Sequence, residues 1–442
     1  MNFNYFTPKG ILLLTMSYVS LLSAQTIAFE EYDLPNGLHV ILHEDHTAPV
    51  VVTAVMYHVG SKDEDTSKTG FAHFFEHLMF EGTKNIERGE WFNIVSANGG
   101  QNNANTTQDR TYYFEVLPSN KLGLALWLES ERMLHPVINQ IGVDTQNEVV
   151  KEEKLQKENQ PFGKLPNVIS KHLYNKHPYR WTPIGKIEHL DAATLDDFKA
   201  FRDKFYVPNN AVLVVAGDFD PVKTKKMIAD YFGPIPKGAP VKRVDIEEDP
   251  ITETIVVEAK ENPQGSPPGY VFSYRTPGKK TLHRDIYVLD LIAAHLGGSQ
   301  TSKLHKKMVD QDQSAFMVNA SHQVQEDYSL FYIMCIPQGS KPYEELKEQV
   351  DQEIADLQQN LISERELQKL LNRVSVGYIQ LKGMSVSSIA SFLAEAYTIG
   401  RDTNLVNTEL DIYQSITRED IQRVAQTYLN SNQRLELQYL PK

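Results

Sequence analysis

The order of strand and helix signals in residues 25–235 returns in residues 263–442, and this repeat constrains the fold more than any other feature of the chain. In the first half, "YDLPNGLHVILHED" places an Asn36-Gly37 turn between extended stretches, and "PVVVTAVMYHVG" is a run of β-branched residues. An apolar helix follows in "GFAHFFEHLMFEGT". Strand signals rich in Thr and Tyr come next in "QNNANTTQDRTYYFEVL", then helical spacing of Leu122, Leu126 and Trp127. The second half answers with "PGYVFSYRTPG", the apolar helix "DIYVLDLIAAHLGGS", strand signals in "SAFMVNASHQVQEDYSLFYIMCIPQ" and the helix "YEELKEQVDQEIADLQQ". The period is about 200 residues, so the 442-residue chain is expected to hold two copies of one α+β module. Clustered Pro and Gly in "GPIPKGAPVKRVDIEEDP" and "ENPQGSPPG" place a linker at residues 236–262.

Composition is that of a globular protein, 41% hydrophobic and 23% charged, which excludes a chain dominated by disorder. A net charge of -13 argues against nucleic acid or an anionic membrane surface as partner. The single cysteine, Cys335, rules out an internal disulfide and any multi-cysteine metal site, so a metal here is held by nitrogen and oxygen. At the N-terminus, Lys9 precedes the apolar run Ile11 to Leu22, and the small residues Ser23 and Ala24 follow. Residues 1–24 therefore read as a signal peptide, with an uncleaved membrane anchor as the alternative. No arginine occurs before Arg88, against a mitochondrial presequence. The expected location is the periplasm, with no stable membrane span in the rest of the chain.

In "HFFEHLMFEGT", His73 and His77 stand four residues apart with Glu76 directly before the second. On a helix, positions i and i+4 lie nearly one above the other, so both imidazoles can grip one cation. Two neutral imidazoles with a carboxylate suit Zn2+, leaving the fourth position to water. A glutamate beside that water can take its proton and pass it to a leaving amine, a route to amide hydrolysis. The five-residue pattern arises by chance in roughly one chain in a hundred, so it needs a third ligand to carry weight. "EVVKEEKL" offers Glu148, Glu152 and Glu153. If Val149 and Val150 mark the buried seam of that helix, Glu153 falls about 40° from Val149 and closest to the seam.

The order His-x-x-Glu-His is the inverted form of the common zinc-protease motif. With "HFFEHLMFEGT", "NNANTTQDRTYY", "EVVKEE", "HPYRWTPIG" and "FYVPNNAVLVVAGDFDP" in that order, the chain resembles the pitrilysin/insulinase family from about residue 30 to the end. The resemblance implies a repeated α+β module, each copy a mostly antiparallel sheet with helices packed on one face. It implies zinc ligation by His73, His77 and Glu153, and Glu76 as general base. Asn103 and Ala104 match the strand edge that pairs with an extended peptide substrate in relatives. Gln146 stands where many members have an acidic residue supporting the metal site, and a neutral amide accepts less well than a carboxylate. His177, in "NKHPYRW", is outside the family's metal centre and reads as a structural loop residue.

Members of the family also carry an Arg and a Tyr, seven apart, in a second-type module that hydrogen-bonds substrate and developing oxyanion. The matching positions here are Val309 and Phe316, which lack both donors. The second copy keeps one histidine, His295, but neither a second histidine nor the glutamate of the motif. The resemblance thus implies the zinc-bearing subunit of a heterodimeric endopeptidase, with a homologous partner chain supplying the Arg/Tyr pair. The alternative is a non-catalytic scaffold or peptide-binding subunit of a larger assembly.

Overall fold

The computed structural model describes residues 26–281, 283–382 and 385–442, so the segment read as a signal peptide lies outside the described residues. Six strands form a first sheet: β1 (Glu30–Asp33), β2 (His39–Glu44), β3 (Val50–Tyr57), β4 (Gln101–Thr106), β5 (Thr111–Pro118) and β6 (Ala211–Gly217), in the order β1-β2-β6-β3-β5-β4. Five form a second: β7 (Ile255–Asn262), β8 (Gly269–Pro277), β9 (Ala315–Gln323), β10 (Tyr328–Pro337) and β11 (Leu435–Pro441), in the order β7-β11-β8-β10-β9. Without β1 the two orders coincide strand for strand. Each sheet is antiparallel except for one parallel pair, β2 with β6 and β7 with β11. The repeat seen in the sequence is therefore a repeat of topology, and the fold class is α+β in two modules.

One boundary differs from the sequence reading. β7 falls inside the stretch assigned to the linker, and irregular chain covers only residues 236–254. β7 is a half-exposed edge strand between Pro-rich segments, so composition hides its alternating pattern.

Side chains alternate across the first sheet, and both faces are apolar. Val40, Leu42, Val51, Val55, Leu213 and Val215 point to the module's own helices, including the phenylalanine-rich helices Phe71–Leu78 and Leu195–Phe205. On the opposite face, Ile41, Val52, Ala54, Met56, Val212 and Val214 pack against Ile389, Ala390, Leu393 and Ala394 of helix Val386–Thr398, which comes from the second half. The loan is returned: Leu165, Val168, Ile169 and Leu173 of the first half cover Val271, Leu435, Leu437 and Tyr439 on the second sheet. Neither half can bury both faces of its sheet alone, so the two halves form one folding body.

A buried ionic hub also joins them. The Lys62 ammonium lies 3.0 Å from Asp109, 2.6 Å from Glu326 and 3.0 Å from Asp327. Asp109 sits in the β4–β5 turn, and Glu326 and Asp327 sit in the β9–β10 turn, so equivalent hairpins of the two copies meet at one lysine. His177 belongs here: it is buried, and its Nε2 stands 3.5 Å from Asp327. Among the described residues no helix is long and apolar enough to cross a membrane.

Candidate metal centre

His73, Glu76 and His77 share one face of the helix Phe71–Leu78, while Phe71, Ala72, Phe74, Phe75 and Leu78 are buried behind it. Two turns are too few for a helix to hold itself together. Its ends are clamped instead. The buried Glu64 carboxylate accepts the backbone N–H groups of Gly70 and Ala72, both at 2.9 Å, and also the Trp181 indole at 3.1 Å. At the other end, the fully buried Arg132 guanidinium donates to the Met79 carbonyl at 3.2 Å and is itself neutralised by Glu115 and Glu129. The Glu64 carboxyl thus satisfies N–H groups that the first turn leaves free, and the guanidinium a carbonyl that the last turn leaves free. Gly70 adopts φ 98°, and Gly185 of the "WTPIG" loop packs on its backbone so closely that a Cβ on Gly185 would sit 2.3 Å from the Gly70 nitrogen. Glu64→Ala should lower unfolding free energy by about 2–3 kcal/mol, because two buried helix N–H groups lose their acceptor. Urea unfolding checks this, and a change below about 0.5 kcal/mol would refute the clamp.

Opposite this face runs the helix Gln140–Glu158. Val149 is 44% exposed and Val150 is buried, so the seam expected from both valines is wrong by one position. The inward seam runs Val143, Gln146, Val150, Glu153 at spacings of three, four and three, and the same spacing continues to the exposed Lys157 at the cleft's rim. Glu153 faces the histidines because Val150, one turn earlier, is anchored in the core; Glu148 and Glu152 face solvent.

The Glu153 Oε2 atom stands 3.5 Å from Nε2 of His73 and 3.5 Å from Nε2 of His77. That is long for a hydrogen bond. It fits shared ligands, because donors about 2 Å from a tetrahedral ion lie roughly 3.3 Å apart. All three ligand atoms lie within 4.8 Å of one another. Burial, reinforced by the neighbouring His77, lowers His73 to about 4, so its imidazole is neutral and free to ligate near neutral pH. Contact with His77 holds the Glu153 carboxyl below its ordinary range. Two imidazole nitrogens and one carboxylate oxygen, with room for a fourth ligand, are a donor set suited to zinc.

Gln146 is tied into the site. Its Oε1 lies 3.1 Å from His77 Nδ1 and its Nε2 donates to Glu81 at 2.5 Å. Glu81 is paired in turn with Arg88. The amide accepts from the imidazole and carries the influence of a carboxylate one residue further back. A glutamate at position 146 would meet Glu81 at the same distance.

Glu76 is half-buried, and its Oε2 accepts the Thr106 hydroxyl at 2.6 Å. Burial raises its carboxyl above the ordinary range, partly offset by that hydrogen bond. Thr106 ends β4, which among the described residues pairs with β5 alone and leaves its other edge open. Asn103 and Ala104 lie on this edge strand; the Ala104 N–H donates to the Asn103 side chain at 2.8 Å. A cleft of about 380 Å³ passes the site, lined by His73, Glu76 and Glu153, by Asn105 and Thr106 of β4, and by lysines from the opposite wall. Asn103 and Ala104 lie further along the strand, outside its lining.

Val309 is half-buried against the second core, and Phe316 is 70% exposed on β9. His295 is buried and pairs with Glu366 at 3.0 Å, across the two helices equivalent to those of the metal site. Sequence reading missed Glu64, Glu81 and Thr106. Only Glu81, four residues after His77 on the same local stretch, carried a signal in its spacing.

Two family models match the chain: residues 39–184 match insulinase (peptidase family M16), and residues 192–374 match the peptidase M16 inactive domain. Zinc protease PqqE of Helicobacter pylori is 28% identical over 432 residues, covering 96% of each chain. The mitochondrial-processing peptidase subunit beta of Saccharomyces cerevisiae is 26% identical over 230 residues, 51% of this chain and 48% of that one. The crystal structure of a protease from Helicobacter pylori matches with a TM-score of 0.88 at 27% identity, covering 94% of this chain and 100% of that one. With both halves matched in order and the inverted histidine motif in place, the chain belongs to the M16, or pitrilysin/insulinase, family of peptidases.

Proposed function

We propose that this protein is a zinc-dependent endopeptidase of unfolded peptides, acting as the metal-bearing chain of a heterodimer in the periplasm. The observation that carries the reading is the convergence of His73, His77 and Glu153 with Glu76 beside them, next to an open strand edge. Zinc, when bound there, polarises the scissile carbonyl and acidifies a water. Glu76 takes the water's proton on its carboxylate and delivers it to the leaving amine. The Thr106 hydroxyl fixes one oxygen of this carboxylate, and Glu76 lines the cleft. The β4 edge offers backbone hydrogen bonds to a peptide of almost any sequence, with Asn103 and Ala104 along its path. Gln146 orients His77 through its Nδ1.

The partner chain enters because Val309 and Phe316 offer no donor to a developing oxyanion. Export is supported by the apolar run Ile11 to Leu22. The description of the second family model as an inactive domain favours one other reading, a scaffold or peptide-binding subunit. Peptide cleavage by the purified chain, alone and with a homologous chain lacking the histidines, decides between them. Chelator-sensitive cleavage only in the mixture supports the heterodimer. Cleavage by the chain alone removes the need for a partner, and zinc binding without cleavage in either case supports the scaffold.

The Gln146–Glu81 pairing gives a separate test. Gln146→Glu should weaken zinc binding about tenfold, because two carboxylates would then face each other behind His77. Combining it with Glu81→Gln should restore affinity, read by competition with a chromophoric chelator. Equal or tighter zinc binding by the single variant would refute the pairing.

A further inference from the structure

The cleft wall opposite β4 is basic. In a chain of net charge -13, the residues that line this wall include Lys154, Lys157 and Lys164, with Glu158 between them. Lys154 and Lys164 share that one carboxylate, at 3.2 Å and 3.1 Å. Lys157 has no carboxylate within ion-pair distance among the described residues. It is exposed at the cleft, one helical turn, roughly 6 Å, beyond Glu153 on the same helix. Apart from Glu153, which the metal site would engage, this wall carries three ammonium groups against one carboxylate, beside the atoms proposed to act on the peptide. Lys154 is only 15% exposed and is held by the Gly185 carbonyl at 2.8 Å, so part of this charge is built into the fold rather than loose on the surface.

We infer that this wall is a specificity subsite for a carboxylate of the peptide, close to the bond that is cut. The inference rests on the peptidase reading and names its substrate class: peptides bearing an acidic side chain, or ending in a free C-terminal carboxylate, next to the scissile bond. A basic side chain there would meet Lys157 at like charge and be disfavoured.

The test is a peptide series on one scaffold with Glu, Gln or Lys at each position flanking the cut, each with a free and an amidated C-terminus. It is run on the full zinc-loaded chain with its partner. At one flanking position Glu should exceed Lys in kcat/KM by about fivefold or more, the size of one half-exposed ion pair set against one repulsion. Lys157→Glu and, independently, Lys164→Glu should flatten or invert that order. A preference lost on amidation alone identifies the C-terminal carboxylate as the source; one that survives amidation identifies a side chain. Rates within twofold across the series, or an order unmoved by both variants, overturn the inference. If nothing is cleaved, anisotropy of the labelled peptides on the zinc-loaded Glu76→Gln chain decides. The same order in Kd sustains the carboxylate subsite while the peptidase reading fails, and flat Kd values overturn the subsite.

Discussion

Glu76→Gln should lower kcat about a thousandfold while leaving zinc content and KM essentially unchanged. The substitution keeps the shape of the side chain, and its amide oxygen can still accept the Thr106 hydroxyl. What it removes is the carboxylate proposed to carry a proton from water to the leaving amine. The ligand set, His73, His77 and Glu153, is untouched, so metal analysis of the variant should match the parent. The result would exclude a simple loss of structure, because a misfolded helix would lose zinc as well. Turnover within about tenfold of the parent would mean that another group handles the proton. A scaffold or binding protein would show no turnover to lose, and its peptide affinity would be the same with either residue.

Lys62→Met should cost roughly 3–5 kcal/mol of stability at neutral pH, the penalty for leaving buried carboxylates without their cation. Lys62 is 7% exposed and faces Asp109, Glu326 and Asp327. Burial alone would raise the Glu326 carboxyl, but His58 and Lys62 outweigh it and hold it at about 2 against an ordinary 4.5. A carboxyl lowered on folding adds stability that is complete above its unfolded value and disappears as pH falls through its folded one. The parent should therefore lose this contribution between about pH 4.5 and 2. In Lys62→Met the carboxylates protonate sooner, so the deficit against the parent should shrink with acid. Urea unfolding at pH 7 and near pH 3.5 measures both values. A deficit that is below about 1 kcal/mol, or that grows on acidification, would show that the remaining partners, His58 and Arg401, suffice. Since each half covers a face of the other's sheet, an exchange that does not involve Lys62, both halves should melt in one transition in parent and variant alike.

The parts legible in the sequence are those whose meaning is local. His73, Glu76 and His77 speak through helical spacing, and the module repeat speaks through element order. Glu153 was legible too, although the seam that pointed to it was drawn one residue off. Val149 and Val150 are equally apolar in sequence, and only the packing of this helix against the helix Phe71–Leu78 made Val150 the buried one. Gln146 looked like a loss because the residue was judged alone. Its compensation is Glu81, 65 positions away in sequence and a hydrogen bond away in space. β7 escaped notice because edge strands are half polar and lie among loop residues.

Residue order and spacing by themselves determined the α+β class, the two modules, and which helix carries the imidazoles. These follow from periodicities of two and 3.6 residues, which any segment displays before it meets another. Tertiary structure alone decided the rest. It set which side of the helix Gln140–Glu158 looks inward, which sheet each borrowed helix covers, and where Lys62 finds three carboxylates. It placed Glu64 and Arg132 at opposite ends of a two-turn helix that could not stand alone. Each of these joins residues far apart in the chain, and the free energy that selects them is burial of apolar faces and pairing of buried charge, which exists only after the chain has closed on itself.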